Sequence, residues 1–131
     1  MNLVDSSGWL EYFSGAENSE RFASPLQDTS TLIVPVITLY EVFKVVMRES
    51  TENDVLQAVV AMQHGKVIEL TTLIAMDASR LSLKHGLPMA NSIILSTARM
   101  FDCLIWTQDA DIAGLPGVKF FPEAKAESTN S

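Results

Sequence analysis

Short apolar runs alternate along this chain with stretches in which apolar residues recur at helical spacing. The runs lie at about 1–5, 31–35, 66–70 and 103–107, and the helical stretches separate them. This alternation is typical of βαβ units, which build a parallel sheet with helices packed on its faces. The chain has 131 residues, enough for one domain with a buried core and too few for two. We therefore predict a single α/β domain.

The turn-forming and capping residues set the expected bounds of the helices. Ser6 or Ser7 can begin a helix that ends near Phe13, Gly65 and Gly86 are expected to end two later helices, and Pro88 suits the first position of another. The domain is predicted to span 1–122, and the polar segment 123–131 is expected to fray. The predicted helices are 6–13, 17–27, 37–49, 53–64, 73–85 and 88–100, with a short edge strand at 118–121.

Composition excludes several classes of protein. No apolar run is long enough to span a membrane, and the N-terminus does not have the pattern of a signal peptide. Cys103 is the single cysteine, so no internal disulfide can form, which fits a cytoplasmic protein. The two histidines disfavour a zinc site. The net charge of -7 argues against general nucleic-acid affinity, so any nucleic-acid role needs a local basic patch or a metal ion.

Carboxylates follow the first strand and the last inner strand. Asp5 ends the first strand, with the hydroxyl of Ser6 beside it, and Asp109 and Asp111 follow the run CLIWT. The carboxyl ends of separated parallel strands meet at one crevice, so these acids are candidates for a shared site. Each also has a structural explanation, since Asp5 can cap a helix and Asp109 can stabilise a turn.

Two further candidates lie on predicted helices. Glu41 heads a charged stripe with Lys44 and Arg48, so it is either a site carboxylate or a partner in a solvent-exposed ion pair. Asn91 shares its helix face with apolar residues, so its amide needs a partner once it is buried. That partner is either another site residue or a backbone group.

These oxygen-bearing side chains suit a hard divalent cation. Mg²⁺ binds through one or two carboxylates together with phosphate oxygens of a substrate, and needs neither His nor Cys. The chemistry that such a cluster supports is metal-assisted hydrolysis of a phosphodiester bond. Candidate phosphate contacts are the basic side chains on the predicted helices, namely Lys44, Arg48, Lys84, His85 and Arg99.

Four segments carry a specific resemblance. In their order and spacing they resemble segments of PIN-domain proteins, specifically the small VapC-type toxins of toxin–antitoxin pairs. The four segments are NLVDSSGWLEYF, VITLYEVFKV, KHGLPMANSIILSTAR and CLIWTQDADI. The resemblance extends to about Phe121. It implies a three-layer α/β/α, Rossmann-like fold with a central parallel sheet of four to five strands. It also implies site roles for the acids Asp5, Glu41 and Asp109, for the hydroxyl of Thr107, and for Asp111 as a neighbouring acid that some members have.

The resemblance also implies an activity and partners. These are Mg²⁺- or Mn²⁺-dependent endoribonuclease activity on tRNA, rRNA or mRNA, homodimerisation, and neutralisation by a VapB-type antitoxin whose tail crosses the acidic site.

Asn91 departs from the family pattern, which has Asp at this position. An amide offers an oxygen without a negative charge, so we expect weaker metal binding and weaker activation of water in an unchanged fold. Two explanations stay open: a substitution made to disarm a toxic enzyme, or a natural member of low activity. Either way, the chain as given is predicted to be weakened or inactive as an enzyme.

Three other functions are compatible with parts of the sequence. The first is a PIN-fold protein that binds RNA or an antitoxin without cutting. The second is a phosphatase of the haloacid dehalogenase type, although position 7 is Ser where that class has a second Asp. The third is a phosphate-receiver domain, although this sequence has no lysine at the place expected after the last inner strand.

Overall fold

The structure is a computed structural model that describes residues 1–124. Glu123 and Ala124 are exposed and have no regular secondary structure. The rest of the predicted polar tail, 125–131, lies outside the described residues.

The described chain alternates between strands and helices as predicted. Asp5 caps the first helix, and Gly86, at φ 66°, ends the fifth in the left-handed conformation that glycine adopts most easily. In chain order the elements are β1 (Asn2–Val4), α1 (Ser6–Ser14), α2 (Ser19–Gln27), β2 (Leu32–Pro35), α3 (Val36–Glu49), α4 (Glu52–Gln63), β3 (Lys66–Ile68), α5 (Thr72–His85), α6 (Met89–Met100), β4 (Leu104–Thr107) and β5 (Val118–Phe120).

The five strands form one parallel sheet in the order β3-β2-β1-β4-β5. Val4 pairs with Trp106 across β1 and β4, and Thr107 pairs with Phe120 across β4 and β5. The chain moves outward from β1 to β2 and β3 on one side, and places β4 and β5 on the other. The crevice where the strand order reverses therefore lies between the carboxyl ends of β1 and β4.

Helices cover both faces of the sheet. One core packs Leu3 and Ile105 against α5 and α6, and the other packs Val4 and Val34 against α1, α2 and α4. Successive residues of a strand point to opposite faces, so β1 contributes Leu3 to one core and Val4 to the other. The predicted three-layer α/β fold is confirmed.

Two details differ from the sequence-based expectation. Pro88 is the cap of α6 rather than its first helical residue, because its carbonyl accepts the first helical hydrogen bond, from the N–H of Ser92 at 3.0 Å. Gly65 does not end α4 in a left-handed conformation, since His64 caps that helix. A Cβ at position 65 would lie 2.9 Å from Val34, so the glycine allows the chain to pass close to β2.

None of the helices within residues 1–124 combines the length and the apolar character that a membrane crossing requires.

Candidate active site

Asp5 lies at the end of β1 and is almost fully buried, with 2% of its surface exposed. Its Oδ1 accepts hydrogen bonds from the Ser7 hydroxyl at 2.7 Å and from the Gly8 N–H at 3.1 Å, and its Oδ2 accepts one from the Thr107 hydroxyl at 2.6 Å. Asp5 is therefore the cap of α1 and a residue of the crevice at once, and the two readings of the sequence are compatible.

The environment of Asp5 favours its neutral form. The pKa of Asp5 is raised from 3.8 to about 6, mainly by burial and to a smaller extent by the nearby charge of Asp109, while the hydrogen bonds from Ser7, Thr107 and Gly8 oppose the shift. A buried carboxyl next to a second one is a site where a cation would relieve an unfavourable charge.

Thr107 connects Asp5 to Asp109. Its hydroxyl donates to Asp5 and accepts a hydrogen bond from the Asp109 N–H at 2.8 Å. Asp109 in turn caps a short 3₁₀ helix, because its Oδ1 accepts from the Asp111 N–H at 2.9 Å. The side chain of Asp111 is exposed, and Asp111 contributes its backbone N–H to the hydrogen bond with Asp109.

Asn91 completes this side of the crevice from the first turn of α6. It is buried, and its Nδ2 donates a hydrogen bond to Asp109 Oδ2 at 3.1 Å. An ionised carboxylate only accepts hydrogen bonds, so the amide must present its NH₂ group to it. Of the two partners expected for the buried amide, the site residue is therefore the one found. If residue 91 were Asp, its carboxylate would face that of Asp109. The amide N–H of Asn91 avoids this repulsion.

Glu41 reaches the crevice from α3. It is half-buried, and its Oε1 accepts a hydrogen bond from the Ser6 hydroxyl at 2.9 Å. Ser6 follows Asp5 directly, so this bond ties Glu41 to the start of α1. The structure thus brings Asp5, Glu41, Asn91 and Asp109 to one end of the sheet, with Ser6 and Thr107 between them.

The donor set fits an oxygen-seeking divalent cation in the kind of its ligands but not in their arrangement. Carboxylate and amide oxygens are the ligands that Mg²⁺ accepts, and Asp5, Glu41 and Asp109 would hold it with Asn91. In residues 1–124, however, no group of three His, Cys, Asp or Glu side chains is arranged to bind a metal ion. An acid at position 91 would add a carboxylate beside Asp109, because the Asn91 side chain already contacts that residue.

The basic residues selected from the sequence lie elsewhere. Arg48 pairs with Glu49 at 2.8 Å on the surface, and Lys44 lies over the ring of Tyr40, 5.7 Å from its centroid. Arg99 is exposed in the last turn of α6, eight residues from Asn91 and therefore about 12 Å further along the helix axis. Lys84 and His85 lie in the last turn of α5. None of the five donates a side-chain hydrogen bond to a site carboxylate within residues 1–124.

Sequence reasoning missed a second polar network beside the crevice. The Gln108 side chain donates to Glu11 at 3.1 Å and accepts from Asn18 at 3.0 Å, and the Gln108 N–H donates to the Ser7 hydroxyl at 3.1 Å. Asn18 also donates to the carbonyl of Pro122 at 2.9 Å. The network fixes the loop that carries Asp109 against α1. Its one signal in the sequence is a polar residue between Thr107 and Asp109.

Two clefts open next to these residues. A cleft of about 420 Å³ is lined by Asp109 and Gln108 together with Phe120, Pro122 and Glu123. A larger groove of about 670 Å³ runs between α1, α3 and α4. It has an apolar lining that includes Leu10, Phe13 and Val46, and acidic residues that include Glu11, Glu49, Asp54 and Glu123.

Comparison with known proteins agrees with the observed fold. The sequence model of the PIN domain matches residues 3–118. No curated protein matches the sequence at a significant level.

Solved structures share the fold at low identity. A toxin–antitoxin complex from Klebsiella pneumoniae is 22% identical with a TM-score of 0.80, and the match covers 94% of this chain and 100% of that one. VapC20 of Mycobacterium tuberculosis, described as a Sarcin-Ricin loop cleaving toxin, is 13% identical with a TM-score of 0.73 over 88% of this chain and 95% of that one. DNA-bound VapBC of Salmonella typhimurium is 14% identical with a TM-score of 0.71, over 93% and 98% of the two chains.

The family match spans the sheet and the crevice from β1 to the start of β5, so the expectation from the four sequence segments is confirmed: this chain belongs to the PIN domain family.

Proposed function

We propose that this chain is a VapC-type toxin, an endoribonuclease that needs Mg²⁺ or Mn²⁺ and is weakened by the amide at position 91. The observation that carries the proposal is the hydrogen bond from Asn91 to Asp109, beside buried Asp5, at the switch point of a PIN fold. Membership of the PIN family sets aside the phosphatase and receiver alternatives. The cytoplasmic location stays a prediction.

The proposed reaction is hydrolysis of an RNA phosphodiester bond. A divalent cation bound here would supply Lewis-acid stabilisation of the phosphate and a more acidic water. The chain itself contributes the oxygen ligands of Asp5, Glu41 and Asp109. Thr107 holds the Asp5 carboxylate and the Asp109 backbone in a fixed relation through two hydrogen bonds of 2.6 and 2.8 Å.

Asn91 explains why the chain as given is expected to cut weakly. The amide replaces one negative charge, and its N–H already satisfies the Asp109 oxygen that a cation would otherwise contact. Affinity for the cation is therefore expected to fall, while the fold, which depends on the apolar residues of α6, is retained.

The same hydrogen bond favours a second candidate function, a protein that binds RNA or an antitoxin without turnover. Within the crevice each oxygen of Asp5 and of Asp109 accepts a hydrogen bond from a group of this chain. Such a site is stable without a cation. It differs from the enzyme in one measurable respect, the absence of metal-dependent cleavage.

An antitoxin is the proposed protein partner. Two of the solved structures with this fold are named as toxin–antitoxin or VapBC assemblies. The groove between α1, α3 and α4 combines an apolar lining with Glu11, Glu49, Asp54 and Glu123, and no Lys or Arg of residues 1–124 lines it. It therefore suits an amphipathic segment that carries basic residues. Homodimerisation is proposed as well, through exposed apolar side chains of α5.

The test is cleavage of a mixed tRNA and rRNA pool by this chain and by its Asn91→Asp variant, with Mg²⁺ or Mn²⁺ and with an EDTA control. We expect the Asp form to cut, chelation to stop it, and the parent to be slower by about 100-fold or more, the order of effect expected when one charged ligand is lost.

The matched control is the double variant Asn91→Asp with Asp5→Asn, which restores one acid and removes another, and it is expected to be inactive. Cleavage by the double variant at the rate of Asn91→Asp would show that a contaminating nuclease is responsible. If Asn91→Asp does not cut with either metal, the catalytic proposal is wrong and the binding function replaces it.

A further inference from the structure

We infer that a surface formed by Arg21, Trp106, Lys119 and Phe121 binds single-stranded RNA next to the cut site. We call it the Trp106 surface. It deepens the proposed function by assigning the place where nucleotides flanking the scissile bond are held. None of the basic residues selected from the sequence belongs to it.

Two cations of this surface lie over aromatic rings. Lys119 Nζ is 4.3 Å from the centroid of the Trp106 ring and 5.8 Å from that of Phe121, and Arg21 Cζ is 5.2 Å from the centroid of Phe121. Lys119 and Trp106 are paired residues of β5 and β4, so their side chains point to the same face of the sheet. The arrangement places two exposed positive charges over two half-buried rings.

The rings are held in place before any ligand arrives. The Trp106 indole N–H donates to Asn2 Oδ1 at 2.9 Å, and the amide of Asn2 donates to the Thr31 hydroxyl at 3.2 Å. Phe121 packs edge-on against buried Phe22, with the centroids 5.5 Å apart. Rings fixed in this way lose little conformational entropy on binding, so a base can stack on them once the flexible Lys119 or Arg21 side chain turns to a phosphate.

The charge of the surface is unusual for this chain. Acidic residues outnumber Lys and Arg by 16 to 9, yet the single ion pair in residues 1–124 is Arg48 with Glu49. Arg21 and Lys119 are both exposed. Neither forms an ion pair with a carboxylate among the described residues. In an acidic protein, a polyanion with flat bases complements such a place better than an apolar peptide does.

The surface lies next to the crevice along the chain, but on the face of the sheet opposite to the Thr107 side chain. Trp106 directly precedes Thr107, and the Phe121 N–H donates to the Thr107 carbonyl at 2.8 Å. The cleft that contains Asp109 is also lined by Phe120 and Pro122, which flank Phe121 in the chain. An RNA strand lying on Trp106 and Phe121 would pass around the carboxyl ends of β4 and β5 to reach the cleft that contains Asp109.

A similar pair elsewhere supplies the matched control. Lys66 Nζ lies 5.8 Å from the centroid of Phe101, but Lys66 is the first residue of β3 and Phe101 follows the end of α6. This pair is at the opposite end of the sheet from the crevice. The pair has the same cation–aromatic chemistry as the Trp106 surface but does not lie near the crevice.

The experiment measures binding of a fluorescent single-stranded RNA of about 12 nucleotides, a length within the range of known single-strand sites. The chain as given, with Asn91, is used in EDTA so that binding is measured without cutting. Lys119→Gln, Arg21→Gln, the double variant and Lys66→Gln are compared at several salt concentrations.

We expect the double variant to bind RNA about tenfold more weakly or worse. The negative slope of log affinity against log salt should become shallower by about 1.4, the value for two lost contacts with single-stranded phosphates. Lys66→Gln should bind as the parent does. In a Trp9→Phe background, which leaves Trp106 as the single tryptophan, RNA should quench the fluorescence.

Three outcomes would overturn the inference. In the first, the double variant binds RNA as tightly as Lys66→Gln. In the second, RNA leaves the Trp106 fluorescence unchanged. In the third, the substitutions weaken a protein partner and not RNA, which would make this a protein-docking surface.

Failure of this inference is distinguishable from failure of the proposed function. If Asn91→Asp cuts RNA and adding the two substitutions does not raise KM, the nuclease proposal stands and the Trp106 surface does not bind substrate. If Asn91→Asp does not cut but RNA binding depends on Arg21 and Lys119, the surface stands and the enzyme proposal fails.

Discussion

At the scale of single residues, the crevice is stabilised by a hydrogen-bond donor, the amide of Asn91, beside two carboxylates. Asp5 and Asp109 lie close enough for the charge of one to raise the pKa of the other. Asn91 donates an N–H to Asp109, whereas an acid at position 91 would repel the Asp109 carboxylate. The charge state of Asp5 and the identity of residue 91 should therefore be visible in stability as well as in activity.

The raised pKa of Asp5 predicts a pH dependence of stability in the metal-free protein. Because the folded-state pKa is about 6 against an ordinary value of 3.8, the folded protein binds a proton that the unfolded chain releases. This contribution is fully present below about pH 4 and is lost as the pH rises through about 6, with a total of about 2–3 kcal/mol. Urea denaturation in EDTA at a series of pH values measures it.

The control for this measurement is Asp5→Asn, which cannot titrate. The difference in unfolding free energy between parent and variant should change across that pH range in favour of the parent at low pH. A difference that is constant with pH would mean that the pKa of Asp5 is the same in the folded and unfolded protein, and would contradict the raised value.

Asn91→Asp should destabilise the metal-free protein. The substitution replaces a donor–acceptor pair with two carboxylates, at a cost of about 1–3 kcal/mol in EDTA. Mg²⁺ should recover part of this loss and raise the Tm of the variant more than that of the parent. Thermal unfolding with and without Mg²⁺ measures both effects.

The matched control is Asn53→Asp, the same chemical change at an exposed position in the first turn of α4. It should leave Tm nearly unchanged and insensitive to Mg²⁺. Equal responses to Mg²⁺ from both variants would argue against a cation site at position 91.

At the scale of elements, the crevice depends on how closely α1 approaches β1 and α2. Gly8 lies in the first turn of α1 at the point of contact, and a Cβ there would be 2.5 Å from Val4 and 2.8 Å from Phe22. Val4 and Phe22 are both fully buried, so neither can move aside easily. The glycine sets the position of the helix start and, with it, those of Asp5, Ser6 and Ser7.

Gly8→Ala should therefore destabilise the fold by about 1–3 kcal/mol, even though alanine favours helices by about 1 kcal/mol. Gly114→Ala is the control, because a Cβ at position 114 meets nothing within 4 Å. Chemical denaturation of both variants measures the effect. If the two unfold at the same denaturant concentration, α1 can shift away from β1 at no cost.

At the scale of the whole molecule, an unpartnered apolar stripe runs along α5. Leu73, Met76 and Leu83 are 66%, 54% and 89% exposed, at positions that lie on one side of the helix. Such a stripe is expected to be covered by a second copy of the chain in the proposed homodimer.

The double substitution Met76→Glu with Leu83→Glu should convert the dimer to a monomer, as measured by light scattering after gel filtration. The exposed pair Leu56→Glu and Val60→Glu on α4 is the control and should leave the mass unchanged. A parent that is monomeric at high concentration would contradict the dimer, and a variant that stays dimeric would place the interface elsewhere.

The sequence predicts the fold well because the fold depends on local signals. The alternation of buried strands with amphipathic helices, the cap at Asp5 and the left-handed Gly86 are each set by neighbouring residues. The predicted strands and helices are found within a few residues of their expected bounds.

The site is predictable only in part. The positions of Asp5 and Asp109 follow from the rule that strand ends meet at a switch point, whereas the partner of Asn91 depends on how α6 packs. The contact of Asn18 with Gln108 joins residues 90 positions apart, and the contact of Lys119 with Trp106 depends on the register of β5. No local pattern carries that information.

The hydrogen bond from the Ser92 N–H to the Pro88 carbonyl has a consequence for the chemical ageing of the protein. Asn followed by Ser is a sequence prone to deamidation, which begins when the main-chain nitrogen of the second residue attacks the side-chain amide of the first. Here that nitrogen is held in the first turn of α6 and the amide is buried. Stored protein is therefore protected from spontaneous conversion of Asn91 to Asp, the one change that would restore the missing acid.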